Sequence, residues 1–201
     1  TSMKNMFLNC QNLTVLNLSN FNTCKVKNMN AMFKGCSKLE KLDITSLDTS
    51  NVTNMGSLFY GCSKLKSLDL SNLNTINLQN ADYMFCNLYK IEILNLSNFN
   101  TTSLISMKGM FSGCQKLISI NLSNFDTSLV TDMGWMFYEC RNLISIKLSS
   151  FNTSSVKEFD YMFCGCKSLN SLDVTNFDTS NARNMRNMFW GCSSLITLDL
   201  S

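Results

Sequence analysis

Two rhythms of apolar and polar residues take turns along the chain. In Leu16-Asn17-Leu18-Ser19 the two kinds alternate singly, as along a strand with one buried face. Leu42-Asp43-Ile44, Leu68-Asp69-Leu70, Leu94-Asn95-Leu96 and, last, Leu198-Asp199-Leu200 repeat that alternation. Between such stretches Val26, Met29, Met32, Phe33 and Cys36 fall at helical spacing. At roughly 100° per residue they span an arc of about 120°, which predicts a short helix with one inward stripe. Asn22 and Thr23 stand just ahead of it and suit a helix N-cap or an Asx turn, and the Thr hydroxyl is expected to satisfy a backbone group there.

Both rhythms share one period. Phe7, Phe33, Phe59, Phe85, Phe111, Phe137, Phe163 and Phe189 follow one another at intervals of 26 residues, without insertion or deletion. Thr recurs at Thr23, Thr49, Thr75, Thr101, Thr127, Thr153 and Thr179, and Cys at Cys10, Cys36, Cys62, Cys114, Cys140, Cys166 and Cys192. Each unit has an apolar face that only its neighbours can cover, so the chain is expected to wind as a solenoid. Met32 and Phe33 then fill the space between helix and sheet, where a thioether packs well against a ring edge. The expected fold is an α/β repeat solenoid, right-handed, with one parallel β-strand and one short helix per turn. Residues 1–201 read as a single array of nearly eight coils. Both ends look cut from a longer array without caps, and so prone to fraying or end-to-end association.

The run Met32-Phe33-x-x-Cys36-x-x-Leu39-x-x-Leu42-x-Ile44-Thr45 resembles the BspA-like leucine-rich repeats of bacterial and protist surface proteins. It is closest to their 26-residue variety, with stretches such as Leu122-Ser123-Asn124-Phe125-Asp126-Thr127-Ser128. The resemblance covers the whole chain. It implies a leucine-rich-repeat-like solenoid and, by analogy, a cell-surface or extracellular module for adhesion or host interaction; a cytoplasmic structural or assembly subunit and a mechanical spacer are the alternatives. The chain departs from the common leucine-rich repeat where an Asn ladder would stand, at Phe21, Leu47, Leu73, Phe99, Phe125, Phe151 and Phe177. Rings and Leu pack that corner, which puts the usual horseshoe curvature in question.

Composition narrows the chemistry. With 45% hydrophobic and 15% charged residues, the chain is expected to be ordered. A formal charge of +3 with no basic block argues against nucleic acid as a partner, and no apolar run is long enough for a membrane span. There is no His, the commonest general base and metal ligand, and Ser and Asp occur as repeated columns without a Lys or His arranged beside them. No catalytic site, cofactor or metal is therefore expected; Cys164-Gly165-Cys166 alone is a weak metal motif. The stacked cysteines read as buried reduced thiols, with bridges between coils as the competing reading.

Two columns are candidate contact surfaces. On the sheet face Asp43/Asp69 and Asp173/Asp199 place carboxylates on adjacent rungs, either as a solvated polar face or as a divalent cation site. On the helical wheel the positions of Ala31 and Lys34 point outward, and they hold Tyr60, Tyr83, Trp135, Tyr138, Tyr161 and Trp190. Such a stripe suits contact with a protein or a glycan, or rings lying flat over the seams between coils.

Overall fold

The structure, a computed structural model, describes residues 1–200. Its 26-residue coils stack with each residue beside its counterpart, as the period requires. Parallel bridges run unbroken through Ser2, Asn28, Asn54, Asn80, Ser106, Asp132, Glu158 and Asn184. Elsewhere in the coil lie four short strands, β1 (Ser119–Asn121), β2 (Ser145–Lys147), β3 (Ser171–Asp173) and β4 (Thr197–Asp199). β1 pairs in parallel with β2, and β3 with β4, Ile120 facing Ile146 and Leu172 facing Leu198. The solenoid and its parallel strands agree with the pattern of the sequence; the strand in every coil does not. Among the described residues strands occur only in the last four coils. In the earlier coils Leu42 and Ile44 are still buried and Asp43 still exposed, so the side chains alternate without a continuous ladder.

The expected helix is absent among the described residues. Its segment is a run of tight turns. The N–H groups of Met32, Lys34 and Cys36 donate three residues back, to Met29, Ala31 and Phe33, at 3.1–3.3 Å. The intervening N–H groups of Met29, Ala31, Phe33 and Gly35 donate to Asn54, Gly56, Leu58 and Tyr60 of the next coil, at 2.8–3.0 Å. Spacing explains the difference. Packed helices need about 8–10 Å between axes, whereas hydrogen-bonded rungs lie about 4.8 Å apart. A segment that bonds to its counterpart in the next coil leaves no width for a helix. The turns need left-handed backbone at Ala31 (φ 54°) and Gly35 (φ 76°), and the counterparts of both residues share it in every coil.

The core is built in columns. The eight Phe rings from Phe7 to Phe189 form a continuous stack with centroids 5.5–5.9 Å apart and planes within 14°. Beside them Met32, Met84, Met110, Met136 and Met162 are fully buried, as packing predicts. Thr49 accounts for its own column: its hydroxyl donates to the Asn74 carbonyl (2.9 Å) and accepts the Asn74 N–H (2.8 Å). Thr75, Thr101 and Thr127 do the same for Asn100, Asp126 and Asn152. Asn22 closes an Asx turn onto the Cys24 N–H (3.2 Å), the second of the two roles expected for it.

The corner at Phe99 and Phe125 is packed with stacked rings, centroids 6.3 Å apart. One residue earlier runs an amide ladder that the repeat pattern alone does not announce. Asn98 reaches the Leu70 carbonyl (2.9 Å), Asn124 that of Leu96 (3.1 Å) and Asn176 that of Phe151 (2.7 Å). The cysteines of the 26-residue column donate through Sγ to Phe carbonyls of the preceding coil, Cys62 to Phe33 at 3.2 Å and Cys140 to Phe111 at 3.1 Å. Burial pushes the Cys36 thiol up to about 11 and that of Cys62 up to about 12, and those of Cys114, Cys140 and Cys166 rise for the same reason.

Thr127→Val keeps the shape but leaves the N–H and carbonyl of Asn152, packed against the buried Thr127, without their partner. It should cost about 2–3 kcal/mol in urea unfolding, and an unchanged midpoint would refute the hydroxyl's role. The thiols set an alkaline limit. Those of the unfolded chain ionise near pH 8.5, while the buried ones stay protonated up to about pH 11. Above about pH 8.5 the unfolded state binds fewer protons, so stability is full below that pH and falls as pH rises towards 11. In the native state at neutral pH the exposed Cys10 and Cys24 should react first with a thiol reagent, the buried thiols only on unfolding.

Candidate functional site

The turns decide where the aromatic residues go. Tyr83, Trp135 and Tyr161 occupy the left-handed column of Ala31, at φ 56°, 62° and 56°. This is the third residue of a type II turn, where Gly or Asn is at ease and a bulky residue costs about 1–2 kcal/mol. Asn5, Ser57, Gly109 and Asn187 fill the same place in other coils.

These rings do not point straight out, as they would from a helix. Most are half-buried, because the turns lay them over neighbouring coils. Tyr83 covers Gly109, where an added methyl would come within 2.3 Å of the ring. Trp135 stacks on Tyr161 with centroids 4.3 Å apart and lies 4.6 Å from Tyr138, while its indole N–H donates to Asp160 (2.7 Å). Tyr60 meets Tyr83 edge-on at 6.5 Å. Lys34 sits 4.6 Å over Tyr60, and Arg186 lies 5.9 Å from the Tyr161 centroid. Trp190 stands apart and is 66% exposed.

Five of the six expected aromatic residues thus form two groups, Tyr60 with Tyr83 and Trp135 with Tyr138 and Tyr161. Between them lies a cleft of about 510 Å³. Its walls are Tyr60 and Tyr83 on one side and Trp135 and Tyr138 on the other, and Cys86, Ser112 and Gly113 stand between. Asn87, Tyr89, Gln115, Glu139 and Arg141 complete the lining. Arg141 Nε donates to Glu139 Oε2 at 2.5 Å. Burial, the largest influence on each, raises the Tyr60 and Tyr83 hydroxyls above the ordinary tyrosine range and the Cys86 thiol to about 11, so all three are neutral at physiological pH. The polar lining was missed in the sequence, although a signal existed. Glu139 stands in a left-handed column where Gly35, Gly61, Gly113, Gly165 and Gly191 are found.

The aspartates of the sheet face are all exposed. Asp43 accepts the Thr45 hydroxyl (2.6 Å) and N–H (2.9 Å), Asp69 the Ser71 N–H (2.9 Å), and Asp173 the Thr175 hydroxyl (2.7 Å). These bonds hold all three carboxyls below the usual carboxylate range. β3 and β4 set Asp173 beside Asp199, on the rim of a shallow depression with Thr175. Asp43, Asp69 and Asp173 thus serve the fold itself, each closing the turn that follows its stretch of alternating residues.

Comparison with known proteins supports the fold. The family described as "Mycoplasma protein of unknown function, DUF285" matches residues 1–120 and 105–201. A leucine-rich repeat protein from Eubacterium ventriosum is similar in structure, with a TM-score of 0.56 and 20% identity over 87% of this chain and 42% of its own. Leucine-rich repeat proteins from Bacteroides ovatus (TM-score 0.44, 19% identity, 98% of this chain and 63% of the other) and T. pallidum (0.42, 18%, 84% and 70%) are more distant. The chain spans less than half the length of the Eubacterium protein. Among curated proteins, none matches. The likeness to BspA-like leucine-rich-repeat proteins holds. No helix among the described residues is long and apolar enough to cross a membrane.

The ring packing has a spectroscopic consequence. Trp135, flanked by two tyrosines, should be shielded from acrylamide, and Trp190 should be quenched readily. Trp190→Phe should then remove most of the quenchable emission; two equally shielded tryptophans would contradict the ring arrangement.

Proposed function

The chain belongs to the DUF285 family, and on that footing we propose that it is a non-enzymatic binding scaffold at the cell surface, whose contact surface is the aromatic cleft. One observation carries this reading. Two bulky rings, Tyr83 and Trp135, are held on left-handed backbone at a local cost that Gly or Asn would avoid, and with Tyr60 and Tyr138 they frame an open cleft. Aromatic residues clustered around a depression are the usual anchors of recognition. Surface location draws on the likeness to BspA-like surface proteins. The ten free cysteines favour the second reading, an assembly subunit in a reducing compartment.

The two readings part on intact cells that produce the full-length protein. Protease added outside should remove it if it is displayed, and Tyr60→Ala with Tyr138→Ala should lower adhesion of those cells about tenfold. A protein protected until lysis would overturn the surface reading and favour the subunit.

A further inference from the structure

The cleft's lining says what kind of ligand it suits, given that it is the contact surface of the scaffold. No aliphatic side chain lines it; aromatic faces alternate with amides, a hydroxyl and one ion pair. Its only formal charges, Glu139 and Arg141, are bonded to each other. A ligand cation would find that carboxylate engaged, and the protein's own Lys34 and Arg186 already lie against the rings at either end of the cluster. An aliphatic peptide anchor would leave the rim amides unsatisfied.

A proline-rich helix also docks on aromatic grooves, but it offers mainly carbonyl acceptors and so needs ring donors. Of these the Trp135 indole N–H is committed to Asp160, and each tyrosine hydroxyl both donates and accepts. The remaining rim groups, Asn87, Gln115, Glu139 and Arg141, mix donors with acceptors. Sugar hydroxyls both donate and accept, and the C–H face of a pyranose carries the partial positive charge that an aromatic face attracts. Tyr60 and Tyr138 stand three coils apart, or about 14 Å at the rung spacing of a parallel ladder. We propose that this cleft, between Tyr60/Tyr83 and Trp135/Tyr138, is a binding site for a short neutral oligosaccharide.

Saturation-transfer NMR on the intact chain tests this, with millimolar maltotriose, cellotriose, mannotriose, chitotriose and a decaproline peptide as probes. Saturation should reach the ring C–H protons of at least one sugar. Tyr138→Ala and Gln115→Ala should each weaken that sugar about tenfold, and Trp190→Ala, outside the cleft, should leave it unchanged. Gln115 is a half-exposed side chain, so its variant keeps the test open if Tyr138→Ala fails to fold. No transfer to any of the four sugars, transfer to decaproline alone, or sugar binding indifferent to both cleft variants would overturn the proposal. Adhesion that still depends on Tyr60 and Tyr138 while no sugar binds would sink the oligosaccharide and leave the scaffold standing.

Discussion

The N–H groups of Met29, Ala31, Phe33 and Gly35 reach the carbonyls of Asn54, Gly56, Leu58 and Tyr60, and the same four rungs recur at all seven junctions between coils. A run of turns can send every second N–H the same way only if the backbone changes hand between them. The left-handed residues at Ala31 and Gly35 make that change, and each of them is itself a donor to the next coil. Once these rungs set the spacing, a helix has no room, a counterpart lies over every residue, and an insertion in one coil would break register with both neighbours. The period without gaps is what this ladder demands.

Columns with opposite needs are met by the same spacing. Phe rings one rung apart stack with nearly parallel planes, offset so that their centroids lie farther apart than the rungs. Thr occupies a buried place where the backbone of the next coil needs both a donor and an acceptor, which a hydroxyl alone supplies. Cys fits beside the Phe column because a thiol is small, apolar enough to bury, and still able to bond weakly to a carbonyl.

The sequence displayed the solenoid, its period, the buried columns and the Thr corner, because those follow from which residues repeat. It misled where period alone was used to choose an element. Val26, Met29, Met32, Phe33 and Cys36 satisfy helical spacing, yet inward residues of a turn run can satisfy it too. The distinguishing sign was Gly35 and its counterparts, five of them Gly and two Asn, which mark left-handed backbone where a helix would have none. The amide ladder at Asn98 and Asn124 was visible as repeated Asn beside Phe, but its partners lie a coil away and emerge only in three dimensions. Likewise the aromatic residues were legible as a stripe, whereas their division into two groups depends on how each ring falls across its neighbour.

That division comes from what the coil of Phe111 lacks. It carries Gly109, Ser112 and Gly113, where the next coil carries Trp135, Tyr138 and Glu139 and the preceding one Tyr83, Cys86 and Asn87. Gly109 gives Tyr83 a floor to lie on, and Gly113 accommodates the Asn87 carboxamide, whose Oδ1 would lie 2.1 Å from an added methyl. Small residues at these places are thus what lets Tyr83 and Asn87 lie down before them, while Trp135 and Tyr138 form the far wall after them. In a repeat whose core columns are almost invariant, the surface positions are free to vary without disturbing the stack. A large-small-large sequence across successive coils therefore makes a cleft with no change of fold. The backbone beneath it is the same ladder that holds every other coil, so the walls stand on a rigid base and the proposed ligand would not have to order them first.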